Sequence, residues 1–97
     1  MRSVSPRAVF FMLKLDITFM IYIDVRTKEE YEMGHIKGAI HHDIMDIMQG
    51  VFPEFPKDSQ ITLYCESGNR SMMAKSMLEN AGFTNVINGG SMSDVLL

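Results

Sequence analysis

The sequence predicts an α/β fold, one domain with a mostly parallel central sheet flanked by short helices. Two observations carry this. Apolar, β-branched runs (FMIYIDV, GAIHH, ITLYC and TNVIN) alternate with short helical patterns across connections of a few residues, the order that builds parallel sheets. The first run is apolar almost without a break, as in a strand covered on both faces. A chain of 97 residues is one domain and can bury one compact core without staples.

Taken in order, the first strand is expected over residues 19–25, ending near Asp24. Thr27 then opens a short helix, because T-K-E-E sets Glu30 three residues on and forms a capping box. Gly34 closes that helix where a left-handed residue is easiest. GAIHH, 38–42, is the second strand, and DIMDIMQG is a helix capped by Asp43 and stopped near Gly50. Pro53 and Pro56 make the following segment a loop, and ITLYC, 61–65, is the third strand. From Arg70 to Ala81 the pattern is helical, with Met73, Ala74, Met77, Leu78 and Ala81 on one face. TNVIN is the fourth strand. Gly89 and Gly90 then turn into a last short helix capped by Ser91 or Ser93. Most of the ten methionines fall at apolar helix positions and are expected as core filler.

Residues 1–19 are read as a leader and 20–97 as the domain. The leader has Arg2, Arg7 and a short apolar run, AVFFML, but Lys14 and Asp16 interrupt it and no Ala-x-Ala site follows. An irregular or strand-forming segment is expected, which puts the protein in the cytoplasm; a degenerate export signal, and so the periplasm, is the alternative. The run is too short and too charged to span a bilayer.

Composition removes several function classes. A net charge of −3 with no lysine or arginine cluster gives no footprint for nucleic acid. The single cysteine excludes an internal disulfide and a paired-cysteine zinc or redox site. His35, His41 and His42 lack metal-ligand spacing and are read as turn and strand-end residues.

That one cysteine sits in CESGNRS, 65–71, directly after the third strand. In parallel α/β sheets the ligand site lies beyond the carboxyl ends of the strands, which is where Cys65 stands. Ser67, Gly68 and Asn69 suit a tight curl from strand to helix. Such a curl turns backbone amides inward, and the helix beginning near Arg70 adds its unpaired ones. A free thiol with a pKa of ~8.5 is only a few per cent thiolate at pH 7. Lowering that by two units requires ~2.7 kcal/mol, more than the ~0.3–1 kcal/mol usual at a helix N-terminus. Amide hydrogen bonds and the Arg70 guanidinium would have to supply the rest. The alternative for Cys65 is a strand-end residue packed in the core.

Three stretches resemble the signatures of rhodanese-like domains: IDVRTKEEYEMGHIKGAI (23–40), CESGNRS (65–71) and AGFTNVINGG (81–90). Small single-domain sulfurtransferases, including the phage-shock type, look closest, over roughly residues 20–95. The resemblance implies a single rhodanese-like domain. It implies that Cys65 is the nucleophile and carries a sulfane sulfur as a persulfide, taken from a donor such as thiosulfate. Cyanide or a thiol, including one on a thioredoxin-like protein, would accept it. It implies Arg70 as the second catalytic residue, closing the loop. Glu66, Ser67, Gly68, Asn69 and Ser71 would bind the transferred sulfur through their amides. No cofactor or metal is implied, and no nucleic acid or membrane partner.

Asp24 and Arg26 also match signature positions; satisfying loop and helix-end groups is their expected role. Related phosphatases use a loop one residue longer, which wraps a tetrahedral oxyanion; four residues between Cys65 and Arg70 suit one sulfur. Glu66 is acidic where several thiosulfate-using relatives look basic, which disfavours a dianionic donor. A non-catalytic or persulfide-carrier module that binds a partner protein is the second hypothesis.

Overall fold

The structure is a computed structural model and describes residues 20–96. The leader expected over 1–19 lies outside the described residues. Four strands, β1 (Ile21–Asp24), β2 (Ile40–His41), β3 (Ile61–Cys65) and β4 (Val86–Ser91), form one sheet in the order β2-β1-β3-β4. Every pairing is parallel, as the alternation of strands and helices predicts. The helices are α1 (Lys28–Glu32), α2 (Ile44–Met48), α3 (Asn69–Asn80) and α4 (Met92–Leu96). None of the described helices is long and apolar enough to cross a membrane.

β3 lies between β1 and β4 and all five of its residues are buried. Side chains alternate across a strand, so Ile61, Leu63 and Cys65 point to one face and Thr62 and Tyr64 to the other. The first face joins Ile21, Ile23 and Val25 of the β1 segment to Ile44 and Ile47 of α2 and Ala74 and Leu78 of α3 in one apolar cluster. This is the core, and the helical spacing of Ala74 and Leu78 is what closes it.

The capping box at Thr27 forms as expected. Its hydroxyl accepts from the Glu30 amide at 3.2 Å while the Glu30 carboxylate accepts from the Thr27 amide at 2.9 Å. Asp43 caps α2 by accepting from the Met45 amide at 2.9 Å. Ser91, not Ser93, caps the last helix: its hydroxyl accepts from the Asp94 amide at 3.1 Å, and Asp94 accepts in return from the Ser91 amide at 3.0 Å.

Two expectations are corrected. The fourth strand does not stop before Gly89 and Gly90; it runs on to Ser91, and a bulge takes up one residue where Leu63 faces Asn88 and Tyr64 faces Gly90. Gly89 permits this, because a Cβ there would stand 2.7 Å from Val95 and 2.8 Å from Thr62. The methionines of the described residues are not core filler either. Among the described residues, Met33, Met45, Met48, Met72 and Met73 are exposed, and Met77 alone of the methionines packs partly against the core. Isoleucine, leucine, valine and alanine already fill that space, and the methionines take the margins of short helices.

The three histidines occupy turns and strand ends. His35 stacks on Tyr31 with ring centroids 3.7 Å apart. His41 and His42 meet the carbonyls of Arg26 and Val51 at 2.7 and 2.8 Å.

Candidate active site

β3 delivers Cys65 to the carboxyl edge of the sheet, beside the ends of β1 and β4. The chain then bends back into α3 through Glu66, Ser67 and Gly68. Gly68 is the N-cap of α3 with φ 95°, a left-handed conformation that glycine adopts without penalty. Its α-carbon also faces Gly90 so closely that a Cβ would lie 3.3 Å from the Gly90 Cα.

This bend points amides at the thiol. The Cys65 sulfur accepts from the Gly68 amide at 2.9 Å and from the Ser71 amide at 3.4 Å, and the Ser71 hydroxyl stands 3.5 Å away. Cys65 is fully buried. It belongs to the apolar cluster and to the polar loop at once. The sulfur faces the amides, and the loop covers it.

Burial pushes the Cys65 thiol up, but the Ser71 hydroxyl and the amides of Ser71, Gly68 and Ser67 outweigh it, and the thiol ionises below its ordinary range. The amides are fixed donors. The hydroxyl has a single proton and a closer acceptor, the Asn88 side-chain carbonyl at 2.6 Å. It serves a thiolate only by turning from Asn88.

Asn88 braces the loop from β4. Its amide group donates to the Gly68 carbonyl at 3.2 Å, and its carbonyl also accepts from the Gly90 amide at 3.0 Å. The bulge in β4 makes this reach possible. The asparagine lies inside the third resembling stretch, but its contact with residue 68 depends on a strand pairing that no local pattern specifies.

The guanidinium of Arg70, expected to reach the sulfur, is bonded to Glu30. Nη1 donates to Oε1 at 2.8 Å and Nη2 to Oε2 at 3.0 Å. The pair holds the Glu30 carboxyl down at about 2, chiefly through Arg70 and then through the Thr27 amide. Glu30 in turn raises the Arg70 guanidinium, and Cys65 adds a smaller field. Arg70 is thus engaged by Glu30 and not by the sulfur.

A second guanidinium comes to the same edge. Arg26 is nearly buried and donates to both carboxylate oxygens of buried Asp24, at 2.7 to 3.0 Å, and to the Gly34 carbonyl at 2.7 Å. Its Nη1 lies 3.7 Å from the carboxylate of Glu66. Sequence reasoning placed Arg26 at a loop or helix end, which it satisfies through Gly34, and missed its approach to residue 66. Tyr64, below it, is pushed up to about 12 by burial.

Of the expected residues, Cys65, Gly68 and Ser71 surround the sulfur, and Ser67 contributes its amide. Glu66 and Asn69 are exposed on the rim.

Comparison with known proteins agrees with this geometry. The family model described as the rhodanese-like domain matches residues 12–93. The match starts within the segment read as leader. Thiosulfate sulfurtransferase PspE of Escherichia coli K12 is 32% identical over 77 residues, covering 78% of this chain and 74% of its own. Chloroplastic thiosulfate sulfurtransferase 16 of Arabidopsis thaliana is 38% identical over 76 residues, covering 67% of this chain; the chain spans 63% of that relative's length. A solved rhodanese from E. coli, determined with anions, superposes with a TM-score of 0.67 at 32% identity, covering 78% of this chain and 91% of the other. The matched residues, the parallel sheet and the cysteine at its carboxyl edge agree: the chain belongs to the rhodanese-like domain family.

Proposed function

We propose that this chain is a sulfurtransferase that moves a sulfane sulfur through a persulfide on Cys65. The observation that carries the reading is the sulfur at the strand end, accepting from the Gly68 amide at 2.9 Å and the Ser71 amide at 3.4 Å. Donors placed this way stabilise negative charge without reorganising during reaction.

In the first step the Cys65 thiolate attacks the outer sulfur of thiosulfate. The new S–S bond forms as the donor's S–S bond breaks, and sulfite leaves with the electron pair. In the second step cyanide or a thiolate attacks the outer sulfur of the persulfide and regenerates the Cys65 thiolate. Two half-reactions through one covalent intermediate give ping-pong kinetics. Gly68, Ser67 and Ser71 hold the charge on the sulfur, while Arg70 contributes a positive field from its place on Glu30. Because residue 65 is covered, the loop from Glu66 to Asn69 has to part to admit a donor.

The chain has one cysteine, so the thiol that resolves the persulfide comes from another molecule, small or protein-borne. A thioredoxin-like protein is one acceptor of this chemistry. The cytoplasm, where thiols are kept reduced, is the compartment that suits such an exchange.

The test is the mass of the protein after thiosulfate treatment. Wild type should gain one sulfur, about 32 Da, lose it to cyanide as thiocyanate, and Cys65→Ser should do neither. Equal thiocyanate formation by both proteins would reject the enzyme reading. Loading without turnover would leave a sulfur carrier.

A further inference from the structure

We infer that the mouth of this site selects against dianionic donors, and that its preferred donor is an organic persulfide whose carrier group is neutral or cationic. The inference rests on the persulfide reading above and names the substrate class for that site.

The observation is how the two guanidiniums at the mouth are occupied. Both terminal nitrogens of Arg70 are taken by the two oxygens of Glu30. Arg26 is 5% exposed; it is held by Asp24 and Gly34, and its remaining terminal nitrogen faces Glu66 at 3.7 Å. Two positive groups thus meet three carboxylates, those of Asp24, Glu30 and Glu66, and the local sum is negative. Arg26 offers no free pair of N–H groups to a sulfonate, and the end of Arg70 formed by its two terminal nitrogens is held by Glu30. The most exposed member of the set is Glu66, at 73%, so an arriving donor meets its carboxylate first. The amides around Cys65 accommodate a single negative sulfur. The Gly68 and Ser71 amides are both spent on that sulfur, not on a second charge two bonds away.

An organic persulfide avoids this conflict. The Cys65 thiolate attacks the outer sulfur of R–S–S–H. A bond forms between the Cys65 sulfur and that outer sulfur, and the donor's S–S bond breaks. Its electron pair leaves on R–S, which takes the proton of the outer sulfur and departs as R–SH. No oxidant or reductant is needed. If R carries an ammonium group, the Glu66 carboxylate attracts it at the rim.

The test follows the rate at which the full chain gains one sulfur from two probes, thiosulfate and cysteamine hydropersulfide, in wild type and in Glu66→Gln. Residue 66 is on the surface and the change keeps its shape. Removing the carboxylate should raise the thiosulfate rate about tenfold, as expected for one charge acting on a dianion at short range in partly screened surroundings. It should lower the cysteamine hydropersulfide rate about threefold. Added salt should move the two wild-type rates in the same opposite senses. A thiosulfate rate that changes less than about twofold, or two probes that shift together, would overturn the inference while leaving the persulfide reading intact. A wild type that gains sulfur from neither probe would overturn both.

Discussion

Glu30 and Arg70, 40 residues apart in the chain, meet through two hydrogen bonds of 2.8 and 3.0 Å. Through this pair the capping box of α1 is tied to the first turn of α3. The loop that follows Cys65 is thereby anchored at its far end to a helix belonging to another crossover.

The pair should make stability depend on acid. Glu30 titrates at about 2 instead of 4.5. A carboxyl depressed by folding adds stability above its unfolded pKa, and that share is lost as pH falls through the folded value. The window here runs from about 4.5 down to about 2. Both partners are about one-third exposed, so screening leaves about 1 kcal/mol. In urea titrations wild type should exceed Glu30→Gln by that amount at pH 6, with the gap closing towards pH 2. A gap that stays constant with pH would show that the pair is not its source.

Ser71 tests the sulfur's ionisation separately. Ser71→Ala removes the hydroxyl 3.5 Å from the sulfur and keeps the amide at 3.4 Å. The alkylation-versus-pH midpoint of Cys65 should rise, because the hydroxyl is the foremost group opposing burial. Sulfur loading at neutral pH should fall roughly tenfold, the weight of one hydrogen bond to a charged group. An unmoved midpoint would mean that the hydroxyl stays with Asn88 in both ionisation states.

Local chemistry made much of this fold readable. The capping box at Thr27, the Asp43 cap and the apolar run of β3 are short-range patterns whose physical causes lie within a few residues, and each forms where expected. The CESGNRS loop was legible for the same reason. What stayed hidden depends on distant neighbours. Glu30 satisfies its own cap so completely that nothing in T-K-E-E announces a second partner 40 residues on. Asn88 looks like a strand-end residue until the bulge at Gly89 turns it towards Gly68. Met73 fits a helical stripe, yet the face of α3 that meets the core is narrow. Ala74 and Leu78 are its buried apolar members, and Met72 and Met73 stay outside.

Gly68 and Gly50 provide a matched pair of substitutions. Both have positive φ, 95° and 87°, so alanine at either position bears the left-handed penalty of about 1–2 kcal/mol. At Gly50 a Cβ meets nothing within 4 Å, whereas at Gly68 it lies 3.3 Å from the Gly90 Cα, in backbone that cannot swing aside. Gly68→Ala should therefore destabilise more than Gly50→Ala in urea unfolding. It should also displace the amide that stands 2.9 Å from the sulfur, raising the alkylation midpoint of Cys65 and slowing sulfur loading at least tenfold, the scale of one lost donor to a charged atom. Gly50→Ala should keep wild-type loading in spite of its lower stability. If the two variants lost loading equally, the loss would track stability alone, and the Gly68 amide would not be what keeps Cys65 ionised.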